Sequence, residues 1–258
     1  MRISGSVARP LRMAGSLGLV ALVLMSCGPA PVATGINDPD EAKNREIHAF
    51  NLAVDRTLLR PTATTYSSIL PEPLEEGISN FATNLDAPGD VLNNLMQARP
   101  GRAAENTLRF AVNSTIGIAG IFDPATAMGI PGKPTDFGET LHVWGVGEGQ
   151  YAEVPFVGPT TGRDFTGILV DVALNPVRLA LPNPEAYYAT GAKVASRLSD
   201  RARYGDMVDS VLYESADSYA QARLLYLQNR RFQLGGGAAD AEAGFEDPYA
   251  DFEDPYAE

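Results

Sequence analysis

Few residues in this 258-residue chain could carry covalent or proton-transfer chemistry. The single cysteine, Cys27, closes the run Leu24-Met25-Ser26-Cys27. Before it, Met13 to Met25 is apolar or small throughout, and the opening carries Arg2, Arg9 and Arg12 with no acid. That order is the basic n-region and apolar h-region of a signal peptide. The apolar stretch falls short of the roughly 20 residues a spanning helix needs. Leu24, Ser26 and Cys27 together resemble a lipobox. In that chemistry the thiol takes a diacylglyceryl group, the chain is cut before the cysteine, and the new N-terminus is acylated. Cys27 is then a lipid anchor and not a nucleophile, and residues 1–26 are removed. With no second cysteine, no internal disulfide can form.

The remaining reactive types do not assemble into a catalytic pattern. The two histidines, His48 and His142, have no metal-ligand spacing partner and no His-Glu-x-x-His occurs. Ser114-Thr115 has no base nearby in sequence and sits in no Gly-x-Ser-x-Gly elbow. Gly145, Gly147 and Gly149 superficially resemble a dinucleotide loop, but the preceding strand and the third spacing are missing. Asp38, Asp40 and Glu41 read as helix-capping acids, and Asp123, Asp136 and Asp164 as turn formers. The expectation is a non-enzyme with no metal and no cofactor beyond its covalent lipid.

The elements around these residues read as helices. Asp40 to Leu59 repeats apolar positions through Ile47, Phe50, Val54 and Leu58, and Asp38-Pro39 predicts an N-cap followed by proline in the first turn. Pro71 and Pro73 lead into a second helix through Glu76, Ile78 and Phe81. Pro88 is expected to open a third, with Val91, Leu92, Leu95 and Met96 on one face. A fourth runs from about Arg102 to Asn113. Residues 115–158 are rich in glycine and proline and predict a long ordered loop with short helical turns. A loop of that length implies function. Ile168 to Leu181 predicts two short helices broken at Asn175-Pro176. Pro184 to Arg203 and Asp217 to Phe232 predict two more helices, the last closed by Arg230-Arg231 and the glycines 235–237. Residues 27–36 read as a tether. From Ala238 the chain is acidic, lacks Lys and Arg, and repeats Phe-Glu-Asp-Pro-Tyr-Ala at 245–250 and 252–257. Such a tail is expected to be disordered, with the duplicated motif a candidate docking element.

Charge narrows the partners. Removing the three signal arginines from the 20 Lys+Arg leaves 17 against 32 Asp+Glu, a formal charge of −15. Nucleic acid is excluded as a partner, since it requires basic patches. Attraction to anionic lipid by charge is excluded too, so membrane contact must use apolar surface.

Read in order, the motifs are similar to those of the MlaA (VacJ) lipoprotein family. Asn37-Asp38-Pro39, Glu41, Asn44-Arg45, Phe50-Asn51, Asp55 and Arg60-Pro61 open the series. Tyr66, Pro71, Asn80-Phe81, Asn84-Leu85, Pro88, Asn93, Gln97, Arg109-Phe110, Asn113-Ser114-Thr115 and Phe122-Asp123-Pro124-Ala125 continue it. Asp136-Phe137-Gly138, Trp144-Gly145-Val146-Gly147, Gly149, Tyr151, Pro155 and Arg163-Asp164 close it. The resemblance is strong over residues 37–171 and looser to 237. It implies an all-α domain over 37–237, a ring of amphipathic helices set in the inner leaflet of the outer membrane and facing the periplasm. It implies a channel that removes mislocalised phospholipid from the outer leaflet and passes it to a periplasmic lipid carrier, beside a trimeric porin. Gly117, Gly120, Gly129 and Gly138 would let a loop bend beside that channel. A second role fits the same anchor, that of a lipoprotein stabilising a porin or envelope complex without moving lipid. Lys43, His48, Gln150 and Ser218 depart from the family pattern, which carries apolar or aromatic residues at the first two and proline at the others.

Overall fold

The computed structural model describes residues 28–182 and 185–236. Cys27, Leu24 and Ser26, the segment 1–26 and the acidic tail from 238 lie outside the described residues. The described chain is all-helical apart from one hairpin. Its helices are α1 (Glu41–Val54), α2 (Arg60–Ile69), α3 (Glu72–Met96), α4 (Pro100–Thr115), α5 (Pro124–Ala127), α6 (Phe137–Val143), α7 (Gly162–Leu174), α8 (Pro176–Ala180), α9 (Glu185–Arg203), α10 (Gly205–Asp209) and α11 (Ser218–Arg231). Wider π turns join some of them at Asp55–Leu59 and Ser210–Glu214. None of the described helices is long and apolar enough to cross a membrane.

The chain forms two compact units. Among the described residues, the first takes 28–31, 73–149 and the described part of 162–196, and the second takes 32–72, 150–161 and 197–236.

In the first unit, Pro88 lies inside α3 instead of opening a new helix. Proline there removes one backbone hydrogen bond and costs about 3 kcal/mol. The helix continues because both sides of Pro88 are buried: Ala82, Asn84 and Ala87 before it, Asn93 and Asn94 after it. The stretch read as a long loop holds α5 and α6, and its connections are pinned by side-chain amides. Asn106 donates to the Lys133 carbonyl and accepts from the Lys133 N–H, both at 2.9 Å. Gln97 donates to the hydroxyls of Thr135 (2.7 Å) and Thr140 (2.9 Å). Thr140 in turn donates to Asn93 at 2.9 Å. The break at Asn175-Pro176 is as expected, with Asn175 capping α8 by accepting from the Arg178 N–H. The tether also departs from expectation, because Ala30 is buried and its N–H donates to the His142 carbonyl at 2.9 Å.

In the second unit, residues 151–161 form an antiparallel hairpin, β1 (Tyr151–Val154) on β2 (Gly158–Thr161), with Tyr151 opposite Thr161. The alternation of buried Tyr151 and Glu153 with half-buried Ala152 and Val154 is the strand period, too short to stand out in sequence. Phe156 and Gly158 adopt left-handed backbone at its turn (φ 64° and 89°). The core is aromatic: Tyr151, Tyr219 and Leu227, with Tyr226 against them. Helix α1 starts at Glu41 with Asp40 at the N-cap position and no side-chain cap, so Asp38 does not cap it. Asp38 instead accepts from Asn44 at 2.8 Å, from the Tyr219 hydroxyl and from Arg223. Three donors, one of them cationic, outweigh a cap contact of about 1 kcal/mol.

Candidate functional site

The burial pattern is inverted relative to an ordinary soluble core. The buried apolar residues are mostly alanines, whereas Ile69, Ile116, Phe122 and Leu179 are 60–71% exposed. Asn84, Asn93, Asn94, Gln97, Asn106 and Asn113 are buried instead. Buried amides cost free energy unless paired, and these pair with backbone and with serine, threonine and aspartate side chains, save the Asn94 side-chain oxygen, which is buried without a partner among the described residues. Helices that turn amides inward and large apolar side chains outward suit a body bathed in lipid.

The first unit contains a cavity of about 240 Å3 lined by α3 and α4. From α3 it takes Asn80, Thr83, Asn84, Ala87 and Asp90, and from α4 Asn106, Arg109 and Asn113. Both sets follow helical spacing, so each forms one polar stripe. Asp123, Gly132 and Pro134 complete the wall. Arg109 is held hard: it pairs with Asp123 at 2.5 Å and donates to the Thr126 hydroxyl (2.8 Å) and the Ile130 carbonyl (2.9 Å). Asn113 donates to Asp123 at 3.0 Å and accepts from the Ala125 N–H at 3.1 Å. Asp123 also caps α5 through the Thr126 N–H. Burial alone would raise the Asp123 pKa; hydrogen bonds from Thr126, Asn113 and Arg109 bring it below the usual value. Asn80 donates to the Ile121 carbonyl at 3.3 Å. Asn84 donates to Ser114 (2.9 Å) and to the Ala119 carbonyl (3.3 Å). Those contacts hold a strained apolar loop in which Ile118, Ala119 and Gly120 all have positive φ.

Asp90 differs from its neighbours. Among the described residues its side chain accepts one bond, from the Thr135 N–H at 3.1 Å, and no cation pairs with it. Burial first, then repulsion from Asp86, Asp171 and Asp136, raise its pKa to about 7 against the Thr135 bond. A carboxyl raised in the fold contributes most to stability below its unfolded pKa near 4, and that contribution is lost as pH rises through about 7. Removing the charge at pH 8 is therefore expected to stabilise the protein. For Asp90→Asn we expect a gain of about 2–4 kcal/mol at pH 8 and a flatter stability profile between pH 4 and 7. Thermal unfolding of both proteins across that range checks it, and equal pH profiles would refute it.

The other motif residues of the first unit serve packing. Asp136 caps α6 by accepting from the Glu139 N–H at 2.8 Å. Phe137 donates its N–H to Asp171 at 2.9 Å and meets Trp144 edge to face, with ring centroids 5.6 Å apart. The Trp144 indole donates to the Met96 carbonyl at 3.0 Å. Gly138 touches Gly167 of α7. Gly145 takes positive φ (88°), whereas Gly147 has open space around it. Arg163 and Asp164 form a buried pair at 3.0 Å, inside a helix and not in a turn. Phe81 and Phe110 are half-buried and lie outside the wall of this cavity.

In the second unit, the opening motif residues clamp the hairpin. Asn44 accepts from the Glu153 N–H at 3.0 Å. Asn51 donates to the Val154 carbonyl at 3.0 Å and accepts from the Phe156 N–H at 2.9 Å. Phe50 meets Phe156 edge to face at 5.3 Å, both exposed. Arg45 makes a two-pronged pair with Asp217 (3.0 and 2.8 Å) and holds its pKa down at about 2. Asp55 sits in the first π turn and accepts twice from Arg201 at 2.8 Å and once from Tyr213 at 2.7 Å. His48 and Ser218, two departures from the family pattern, meet at 3.0 Å. Buried His48 also approaches Glu153 at 3.4 Å, so the two changes fit one polar contact. Gln150 only grazes Asp40 at 3.5 Å.

Sequence reasoning missed Asp90, Asn106, Asp171, Glu153 and Arg201. The signal for the first two was the polar stripe itself. Asn106, Arg109 and Asn113 share one helix face, as do Asn80, Asn84 and Asp90 across two helical stretches that sequence reading kept apart.

A profile of the MlaA lipoprotein family matches residues 36–233. The protein named intermembrane phospholipid transport system lipoprotein MlaA from Shigella flexneri is 34% identical over 228 residues, covering 86% of this chain and 88% of its own. Its namesake from Escherichia coli K12 is 33% identical over 228 residues with the same coverage. An uncharacterised protein of Rickettsia felis is 33% identical over 189 residues, covering 73% of this chain and 74% of its own. A solved structure, from work on the structural basis for maintenance of bacterial outer membrane lipid asymmetry, is similar at a TM-score of 0.67 and 31% identity, covering 76% of this chain and 98% of that one.

Proposed function

The chain belongs to the MlaA lipoprotein family, and from that premise we propose that it keeps the outer membrane asymmetric by passing phospholipid headgroups out of the outer leaflet through a polar passage. The observation that carries this reading is the inverted burial: amides inside, large apolar side chains outside. A headgroup is costly to drag through hydrocarbon, and a polar-lined route through protein lowers that cost while the acyl chains stay in lipid. Irregular backbone at membrane depth is tolerated where it lines such a route. The exposed apolar residues Ile116, Ile118, Ile121 and Phe122 supply surface for embedding in one leaflet, as interfacial helices do. The protein is then a passive conduit and not an enzyme. Cys27 carries the acyl groups that fasten it to the inner leaflet of the outer membrane, facing the periplasm. It would stand beside a trimeric porin and hand lipid to a periplasmic carrier.

Reconstitution tests this reading against a purely structural role at a porin. Purified protein in liposomes with fluorescent headgroup-labelled phospholipid is expected to speed headgroup movement between leaflets. Deletion of its gene is expected to raise outer-leaflet phospholipid and detergent sensitivity. No movement in liposomes together with unchanged outer-leaflet lipid would leave only the structural role.

A further inference from the structure

We propose that the turn after α6, Trp144 to Gly147, rests on the membrane leaflet, held there because the segment behind the Cys27 anchor is docked beside it. This rests on the acylation of Cys27 put forward above and adds where the anchor holds the body.

Residues 28–31 are too short and too firmly held to act as a loose leash. Pro29 and Pro31 have no N–H, so Ala30 carries the one backbone donor of that stretch between them. This donor goes to the His142 carbonyl at 2.9 Å, and Ala30 is only 6% exposed. His142 lies in the last turn of α6, where carbonyls have no partner inside the helix. The Gly145 N–H reaches the same oxygen at 2.9 Å, so tether and turn meet at one atom. Cys27 stands three residues before Ala30, which puts the start of its acyl groups within about 11 Å of that contact. Acyl chains buried in the leaflet therefore bring its surface to the turn. The turn itself suits that contact. From Leu141 to Gly147 there is no Asp, Glu, Lys or Arg, in a chain whose net acidity repels anionic lipid. Trp144 and Val146 are 46% and 42% exposed, and Leu95, beside Met96, is exposed as well. The Trp144 N–H is already spent on the Met96 carbonyl at 3.0 Å, so its ring enters an apolar layer without stranding a donor. An aromatic ring whose polar end is satisfied fits the boundary between headgroups and hydrocarbon.

Trp144 is the single tryptophan, so its fluorescence reports this turn alone. The test places the purified acylated protein in phosphatidylcholine vesicles that carry a nitroxide near the headgroup end of the acyl chain. Wild type is expected to show quenched Trp144 emission. Inserting six Gly and Ser residues between Gly28 and Pro29 leaves Ala30 docked and triples the leash to nine residues, so quenching is expected to fall about five-fold, following the −3/2 power of length. Ala30→Asp is expected to lose quenching too, because a carboxylate does not replace a buried methyl. Palmitate uptake is expected to be unchanged in both variants. Palmitate-labelled wild type with unquenched Trp144, or quenching that the insertion does not reduce, overturns the docked turn and leaves the conduit reading standing. Wild type that takes up no palmitate overturns the anchor and this proposal together. Quenching that follows leash length in a preparation that moves no headgroups strikes the conduit and upholds the docked turn.

Discussion

Gly167→Ala is expected to lower the melting temperature by roughly 6–12 °C, corresponding to about 3 kcal/mol for a domain of this size. A Cβ at Gly167 would stand 2.3 Å from the Gly138 nitrogen, 2.7 Å from its Cα and 3.1 Å from the Phe137 carbonyl carbon. All three are backbone atoms, so no rotamer change relieves the clash. The helices α6 and α7 would have to part. That would pull the Phe137 N–H from Asp171 and strain the contact between Asp171 and Asn93 (2.9 Å). Gly147→Ala is the control, since nothing lies within 4 Å of its Cβ position and a neutral result within about 0.5 kcal/mol is expected. Circular dichroism melts of the three proteins check this. Equal melting temperatures for Gly167→Ala and wild type would refute the close approach of the two helices.

Cys27→Ala is expected to abolish membrane anchoring. Without the thiol no diacylglyceryl group can attach, and cleavage before residue 27 loses its substrate. Each buried CH2 of an acyl chain contributes about 0.8 kcal/mol, so losing several chains removes an anchor that interfacial side chains do not replace. The variant should take up no labelled palmitate and should be found as soluble protein or as inner-membrane precursor. Normal outer-membrane fractionation of the variant would sink the lipobox reading. Measured beside Gly167→Ala, it separates loss of address from loss of fold.

The two variants also mark what was legible before the structure. Helix periods are local, so α1, α4, α8, α9 and α11 were readable close to their observed bounds. The expectations that failed were those where tertiary context overrides a local rule. Pro88 continues a helix because its neighbours on both sides are buried. Asp38 forgoes capping because Arg223 and Tyr219 reach it from about 180 residues away. The hairpin at 151–161 hid inside a loop-like stretch because strands of four residues carry too little alternation to detect, and much of what holds them comes from Asn44 and Asn51.

By itself the sequence determined the helical class and the family, since each is written in the period of contiguous residues or in the order of motifs. The address expected from Cys27 behind an apolar run is of the same local kind and is what Cys27→Ala tests. Tertiary structure alone decided which polar side chains share a cavity and which glycines touch backbone. Gly147 and Gly167 look alike in sequence, yet one faces open space and the other a helix. The physical reason is that helical periodicity reports which residues share a face and is silent on what that face meets. In a protein whose amides turn inward and whose leucines and isoleucines turn outward, packing had to say which face was which, and so it had to bring Asp90 to light.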